Sequence, residues 1–290
     1  MRSLKPVEDE LSFIHECSLL FDVWQQAALA QLRRLQDLHT GEARLTERLA
    51  SLAWPLVPPS AARVPWACGE AAGGRGRVMV VVTSDEGLVG PLHHDVVRAA
   101  LSQATEPSRW IAIGSRGAHA LEDTGVRVTS WACPVDAQIE SVAASVAAEW
   151  MEMLIRQPAE STWLIYPEWI TMTVQHPTVV RVLPWPSPTT ASPDELLVEP
   201  TIPDAVEELG RLWLTHHLIE AMAASHVAEL AARAMHLEAS RDELGQQLRQ
   251  VHREKFKLMH ERVDVMVREL RAVRRSHHLH QPREAGLRTH

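Results

Sequence analysis

The chain has 290 residues, 46% of them apolar and 23% charged, and a formal net charge of −8 at neutral pH. That length can bury a sizeable core, while the acidic balance, without a one-sided basic block, argues against nucleic acid as the main partner. Apolar runs such as Val78–Val82 are too short to span a bilayer, and three scattered cysteines, Cys17, Cys68 and Cys133, are expected to be reduced thiols in a cytosolic compartment.

The prolines divide the chain. Of eighteen, only Pro6 and Pro282 lie outside the stretch from Pro55 to Pro203. Each interior proline would cost a helix about 3 kcal/mol, so long helices are expected at the two ends.

The first helix is expected from Val7 to Leu38, within an N-terminal region 1–52. Val7, Ile14, Phe21, Ala28 and Leu35 recur every seven residues, with Leu11, Ser18, Gln25, Leu32 and His39 in the second row. This is the seam of a coiled coil, and the alternative is an ordinary amphipathic helix packed on a central domain. Residues 53–76, rich in proline and then glycine, read as a linker.

A central α/β domain is expected over 77–203. Arg77–Ser84 is a β-branched run suited to a strand buried on both faces. A turn, Asp85-Glu86-Gly87-Leu88-Val89-Gly90, and a helical segment follow. Further strands are expected at Trp110–Ile113, Val126–Trp131 and Thr162–Tyr166, with a helix at Val135–Ile155, an alternation that argues for a parallel sheet. Thr171–Leu183 reads as extended, and Pro184–Pro203 as a proline-rich exit.

The last helix is expected over 204–275, proline-free and about 100 Å long at 1.5 Å per residue. Leu230, Leu237, Leu244, Val251, Leu258 and Val265 form one seven-residue row; Phe256, Met259, Val263, Met266, Leu270 and Val273 form a second. Two rows make a stripe too broad for one partner helix, so a second partner surface is expected. Gly210 and Gly245 would each weaken the helix by about 1 kcal/mol. The tail, 276–290, is expected to be disordered.

Catalytic signals are absent from the sequence. The turn after the first strand has neither GxGxxG nor GxxxxGK[ST] spacing, so no nucleotide cofactor is expected. Asp85 and Glu86 read as solvated turn residues. The pairs His93-His94 and His216-His217 lack the i, i+4 geometry of a zinc site.

Three stretches resemble the γ subunit of F-type ATP synthases. Val80-Val-Val-Thr-Ser-Asp-Glu-Gly-Leu-Val-Gly90 is similar to that family's VxTSDRGLCGG, with Glu86 at its arginine. Tyr166–Pro177 resembles YNxFxNxMxQxP, and Glu220–Ser240 resembles ENxASEHAARMxAMxxAT, with Ala224-Ser225 and Ala231-Ala232-Arg233 as the firmest matches.

The resemblance implies an antiparallel coiled coil of the terminal helices with a central Rossmann-like α/β domain. It implies a non-catalytic rotor subunit with no cofactor or metal. The implied partners are the α and β subunits of a catalytic hexamer, an ε subunit and the membrane rotor c-ring, at the cytoplasmic face of the membrane. Partner contacts are expected at Lys255, Phe256, Leu258, Met259 and Met266, where Lys255 and Phe256 replace the family's Arg-Gln pair. The lysines of the family's N-terminal segment are missing from Leu20–Leu32, which suggests a divergent branch, including an alternative or sodium-linked ATPase. A coiled-coil scaffold and a free-standing α/β enzyme with helical extensions are the competing readings.

Overall fold

A computed structural model describes residues 4–36, 48–49, 51–52, 56, 64–68, 73–105, 107–185 and 201–279. Most of the linker expected at 53–76, most of the proline-rich exit and the tail from residue 280 lie outside the described residues, as do the side chains of Leu35 and Val273. The chain divides into two compact units, Trp24–Leu237 and a second made of Met1–Val23 with Glu238–His290.

The larger unit is built on a five-stranded sheet in the order β3-β2-β1-β4-β5. Its strands are β1 (Arg77–Val82), β2 (Ser108–Ile113), β3 (Val128–Trp131), β4 (Ser161–Thr171) and β5 (Val174–Leu183). The first four pair in parallel, as the alternating pattern predicts. β5, which the sequence marks as extended without a direction, runs antiparallel to β4 as the second arm of a hairpin. Pro167 of β4 and Pro177 of β5 face each other there. Both are tolerated because β5 is an edge strand and the pairing of β4 with β1 ends at Ile165.

Helices cover both faces. Alternate β1 residues Val78, Val80 and Val82 enter one core, with α2 (Pro65–Cys68), α5 (Ile139–Arg156) and the first part of α6 (Ile202–Leu279). Met79 and Val81 enter the other, against α3 (Leu92–Gln103) and α4 (Ser115–Glu122). The two-residue period of a strand thus explains why β1 is apolar from Val78 to Val82: over those residues it has no solvent face. Gly210 lies where α6 crosses the first core, and a Cβ there would come within 2.4 Å of the Trp66 ring. Its place in the helix is set by that contact.

The terminal helices pair antiparallel. α1 (Lys5–Gln36) buries Ala28 and Leu32 against Val227, Leu230, Ala231 and Ala234 of α6 in the larger unit. In the second unit Asp22 pairs with Arg241 at 3.2 Å and Glu8 with Lys255 at 3.1 Å. Stepping fourteen residues back along α1, from 22 to 8, therefore takes the partner fourteen residues forward along α6, from 241 to 255. Fourteen residues are two heptads, so one register serves both pairs. α6 also exceeds the expected 204–275 at both ends, and 276–279, expected to belong to the tail, are helical.

Candidate functional site

Two constellations stand out, one in each unit. In the second unit α6 carries both apolar rows with different fates. Val251 of the seven-residue row is buried, and Leu244, Leu258 and Val265 are partly covered. On α1, Ile14 is buried and Val7, Leu11, Ser18 and Phe21 are partly covered, so these rows form the seam.

The other row stays outside. Phe256 is 62% exposed, Met259 44%, Val263 56%, Met266 63% and Leu270 63%. Alternating steps of three and four place them on one face of the helix. The five residues singled out from the sequence accordingly separate. Phe256, Met259 and Met266 share the open face, whereas Leu258 belongs to the seam row and Lys255 is engaged with Glu8.

In the larger unit the loops at the carboxyl ends of the strands converge on α6. Asp85 is no free turn residue: its carboxylate accepts the backbone N–H of Ser115 at 2.6 Å and of Cys133 at 2.9 Å. Burial pulls its pKa up, but these hydrogen bonds outweigh it and hold the carboxyl below its ordinary value. One side chain thereby ties together the loops that follow β1, β2 and β3. Thr83 adds a second tie, accepting the Gly117 N–H at 3.0 Å. A Cβ on Gly117 would meet that hydroxyl at 2.5 Å, so the close approach requires glycine.

Glu86 is likewise engaged. Its carboxylate lies 2.8 Å from Arg233 of α6, whose Nε also reaches the Gly87 carbonyl at 3.4 Å. Beneath them Glu229 is 4% exposed and accepts a hydrogen bond from Ser225 at 2.9 Å. Ser84 stands between Glu229 and the buried His93, whose Nε2 is 3.1 Å from the Ser84 hydroxyl. In an open α/β sheet ligands bind beyond the carboxyl ends of the strands, next to the point where strand order reverses. Here that point lies between β1 and β4, and the side chains of α6 come down on the β1 loop. The expected tight turn is present, with Leu88 at φ 63° and Gly90 at φ 61°.

His216 and His217 also have a structural setting. They reach Glu220 at 3.3 and 3.6 Å, and burial, then the neighbouring His216, push His217 down to about 4. Among the described residues no group of three or more His, Cys, Asp or Glu side chains could hold a metal ion.

A family model described as ATP synthase matches residues 11–258, which takes in the paired helices, the sheet and the turn after β1. The chain belongs to the ATP synthase gamma-chain family. As a member it is a non-catalytic rotor subunit. A relative named ATP synthase gamma chain, from Erythrobacter litoralis, is 26% identical over 250 residues, covering 80% of this chain and 84% of its own.

Solved structures show the same fold. A chain of the Euglena gracilis mitochondrial ATP synthase, in an assembly titled OSCP/F1/c-ring, superposes with a TM-score of 0.71 at 13% identity, covering 99% of this chain and 98% of its own. A chain from the Tetrahymena thermophila central stalk and c-ring has a TM-score of 0.53 at 16% identity, with 79% and 99% covered. The family resemblance in the sequence pointed to Arg233 and to the unusual Glu86. It did not reveal that the two pair, nor that Glu229 and His93 are buried beside them.

Proposed function

We propose that this chain is the central shaft of a rotary F-type ATP synthase, coupling proton or sodium flow through a membrane rotor ring to ATP synthesis or hydrolysis in an α/β hexamer. The observation that carries this reading is the split between the two rows of α6. A helix already paired with α1 still presents Phe256, Met259, Val263, Met266 and Leu270 to solvent. An apolar face of that extent needs a cover, and the sleeve of a hexamer supplies one. Phe256, Met259 and Met266 would meet the α and β subunits, while Lys255 and Leu258 hold the shaft together from within.

Catalysis would take place on the partners. An asymmetric shaft touching three catalytic β subunits unequally favours a different nucleotide state at each, which shifts populations through differential contacts. The α/β unit would meet ε and the c-ring. Among the described residues no helix is long and apolar enough to cross a membrane, so attachment at the cytoplasmic face would come through those partners.

Reconstitution tests the reading. The full chain mixed with the α and β subunits of an F-type ATP synthase from the same organism should co-purify with them, and a bead fixed to the α/β unit should rotate during ATP hydrolysis. Failure to assemble would favour the scaffold reading, and tight ATP binding by the isolated chain would favour the enzyme reading.

A further inference from the structure

We propose that Glu86 and Glu229 compete for Arg233, so that a proton on Glu229 decides whether the turn after β1 is tied to the terminal helix. Glu229 and Arg233 lie one helical turn apart on α6, within reach of each other. Glu86 approaches the same guanidinium from the turn, at 2.8 Å. Glu86 is largely exposed, whereas Glu229 is almost wholly enclosed. A charge on Glu229 has little water to stabilise it and must recruit protein donors.

The donors it would recruit are those now holding the turn. Ser84 has one hydroxyl proton, given to the Glu86 carbonyl at 3.1 Å. His93 Nε2 faces that same carbonyl at 3.4 Å, an acceptor only, so the tautomer with its proton on Nε2 fits both neighbours. With Nε2–H donating to Ser84, a neutral Glu229 can donate to Ser84 as well, and every proton in the cluster has a place. Once Glu229 ionises, the Ser84 proton is wanted by the carboxylate instead of the Glu86 carbonyl. Arg233 is drawn the same way, off Glu86 and Gly87. Two ties to the turn weaken through one ionisation.

The surroundings favour a transition near neutral pH. Burial lifts the Glu229 carboxyl to about 7, against the hydrogen bonds of Ser225 and Ser84 and the charge of Arg233, while Glu86 adds to the rise. The loop after β3 contributes Cys133, whose thiol is pushed up to about 12 by burial first and then by Glu229, Asp85 and Glu86, so it stays neutral. From α3 comes His93, held below its ordinary value chiefly by burial and also by the charges of Arg116, His94 and Arg233, hence neutral as well. From α1, Trp24 and Gln31 line the cavity of about 280 Å3 beside Glu86 and Arg233, and neither titrates. Turn residue Leu88 sits in the left-handed region, a conformation that persists only while its surroundings hold it.

Hydrogen exchange on the full-length chain tests the device. After correction for intrinsic rates, peptides covering residues 84–90 should lose about threefold or more protection between roughly pH 6 and pH 8.5. Glu229→Gln, which keeps a neutral donor, should hold its protection across that range, and Glu86→Gln should be weakly protected throughout. The same loss in Glu229→Gln as in the parent chain, or no loss in the parent chain, overturns the proposal. Carbon-13 titration of glutamate carboxyls in the unmodified chain guards against a variant that misfolds: if no glutamate titrates above about pH 6, the proposal fails whatever the variants do.

Discussion

Asp85 shows how a residue that looks solvated can organise a fold. Its two backbone hydrogen bonds, to Ser115 and Cys133, are charge-assisted, and each joins a different loop. Asp85→Ala should lower stability by about 1–2 kcal/mol at neutral pH, measured by urea unfolding. The pH dependence has a definite sign. A carboxyl held below its ordinary value contributes stability above about pH 4 and loses it as the pH falls through the depressed value, so the variant should show a smaller acid-induced loss than the parent chain. Gly210 makes the opposite case about propensity. Alanine is better than glycine in a helix by about 1 kcal/mol, yet its Cβ would sit 2.4 Å from Trp66 and 2.8 Å from Met151. Overpacking of that kind costs about 1–3 kcal/mol, so Gly210→Ala should lower the thermal midpoint, and a raised midpoint would show that the Trp66 ring can move aside. Neither effect was legible in the sequence, since both depend on what a distant segment brings to the position.

At the scale of elements, period and composition carried most of the reading. β1 was recognisable because a strand buried on both faces has no polar positions to interrupt it. The sequence of β5 marks it as extended but carries no sign of its reversal. Its hairpin turns at Met172-Thr173, without the Asn-Gly or Asp-Gly that ordinarily marks a two-residue loop. The helix pair was legible from its heptads, while its register was not, because heptad spacing permits several alignments. Asp22–Arg241 and Glu8–Lys255 select one of them. Exposed ion pairs are worth about 0–1 kcal/mol, so charge reversal would be a poor assay of the register. Cross-linking is sharper. In a chain whose native cysteines are replaced by serine, Glu8→Cys with Lys255→Cys should be joined by a bis-maleimide cross-linker of about 10 Å reach, whereas Glu8→Cys with Arg241→Cys should not, being two heptads or about 21 Å out of register at 1.5 Å per residue.

For the molecule as a whole, the decisive contrast is between apolar residues the chain covers itself and those it leaves for others. Val251 and Met266 lie on the same helix and in the same unit, but Val251 is 6% exposed and Met266 63%. An aspartate at Val251 buries an unpaired charge in the seam, which should cost about 3 kcal/mol or more and be visible in the isolated chain as a lower unfolding midpoint. An aspartate at Met266 remains in water, and surface changes of that kind usually stay within about 0.5 kcal/mol, so the isolated chain should unfold as before. Its effect should appear only on assembly, where the charge must be desolvated against the α/β hexamer, and co-purification should fall about tenfold or more for a cost above about 1.4 kcal/mol. The two substitutions therefore separate folding from docking. Assembly unaffected by Met266→Asp would mean that the open row of α6 faces solvent in the complex, and the partner surface would then have to be sought on Phe13, Leu19, Leu20 and Val23, the exposed apolar residues of α1 in the same unit.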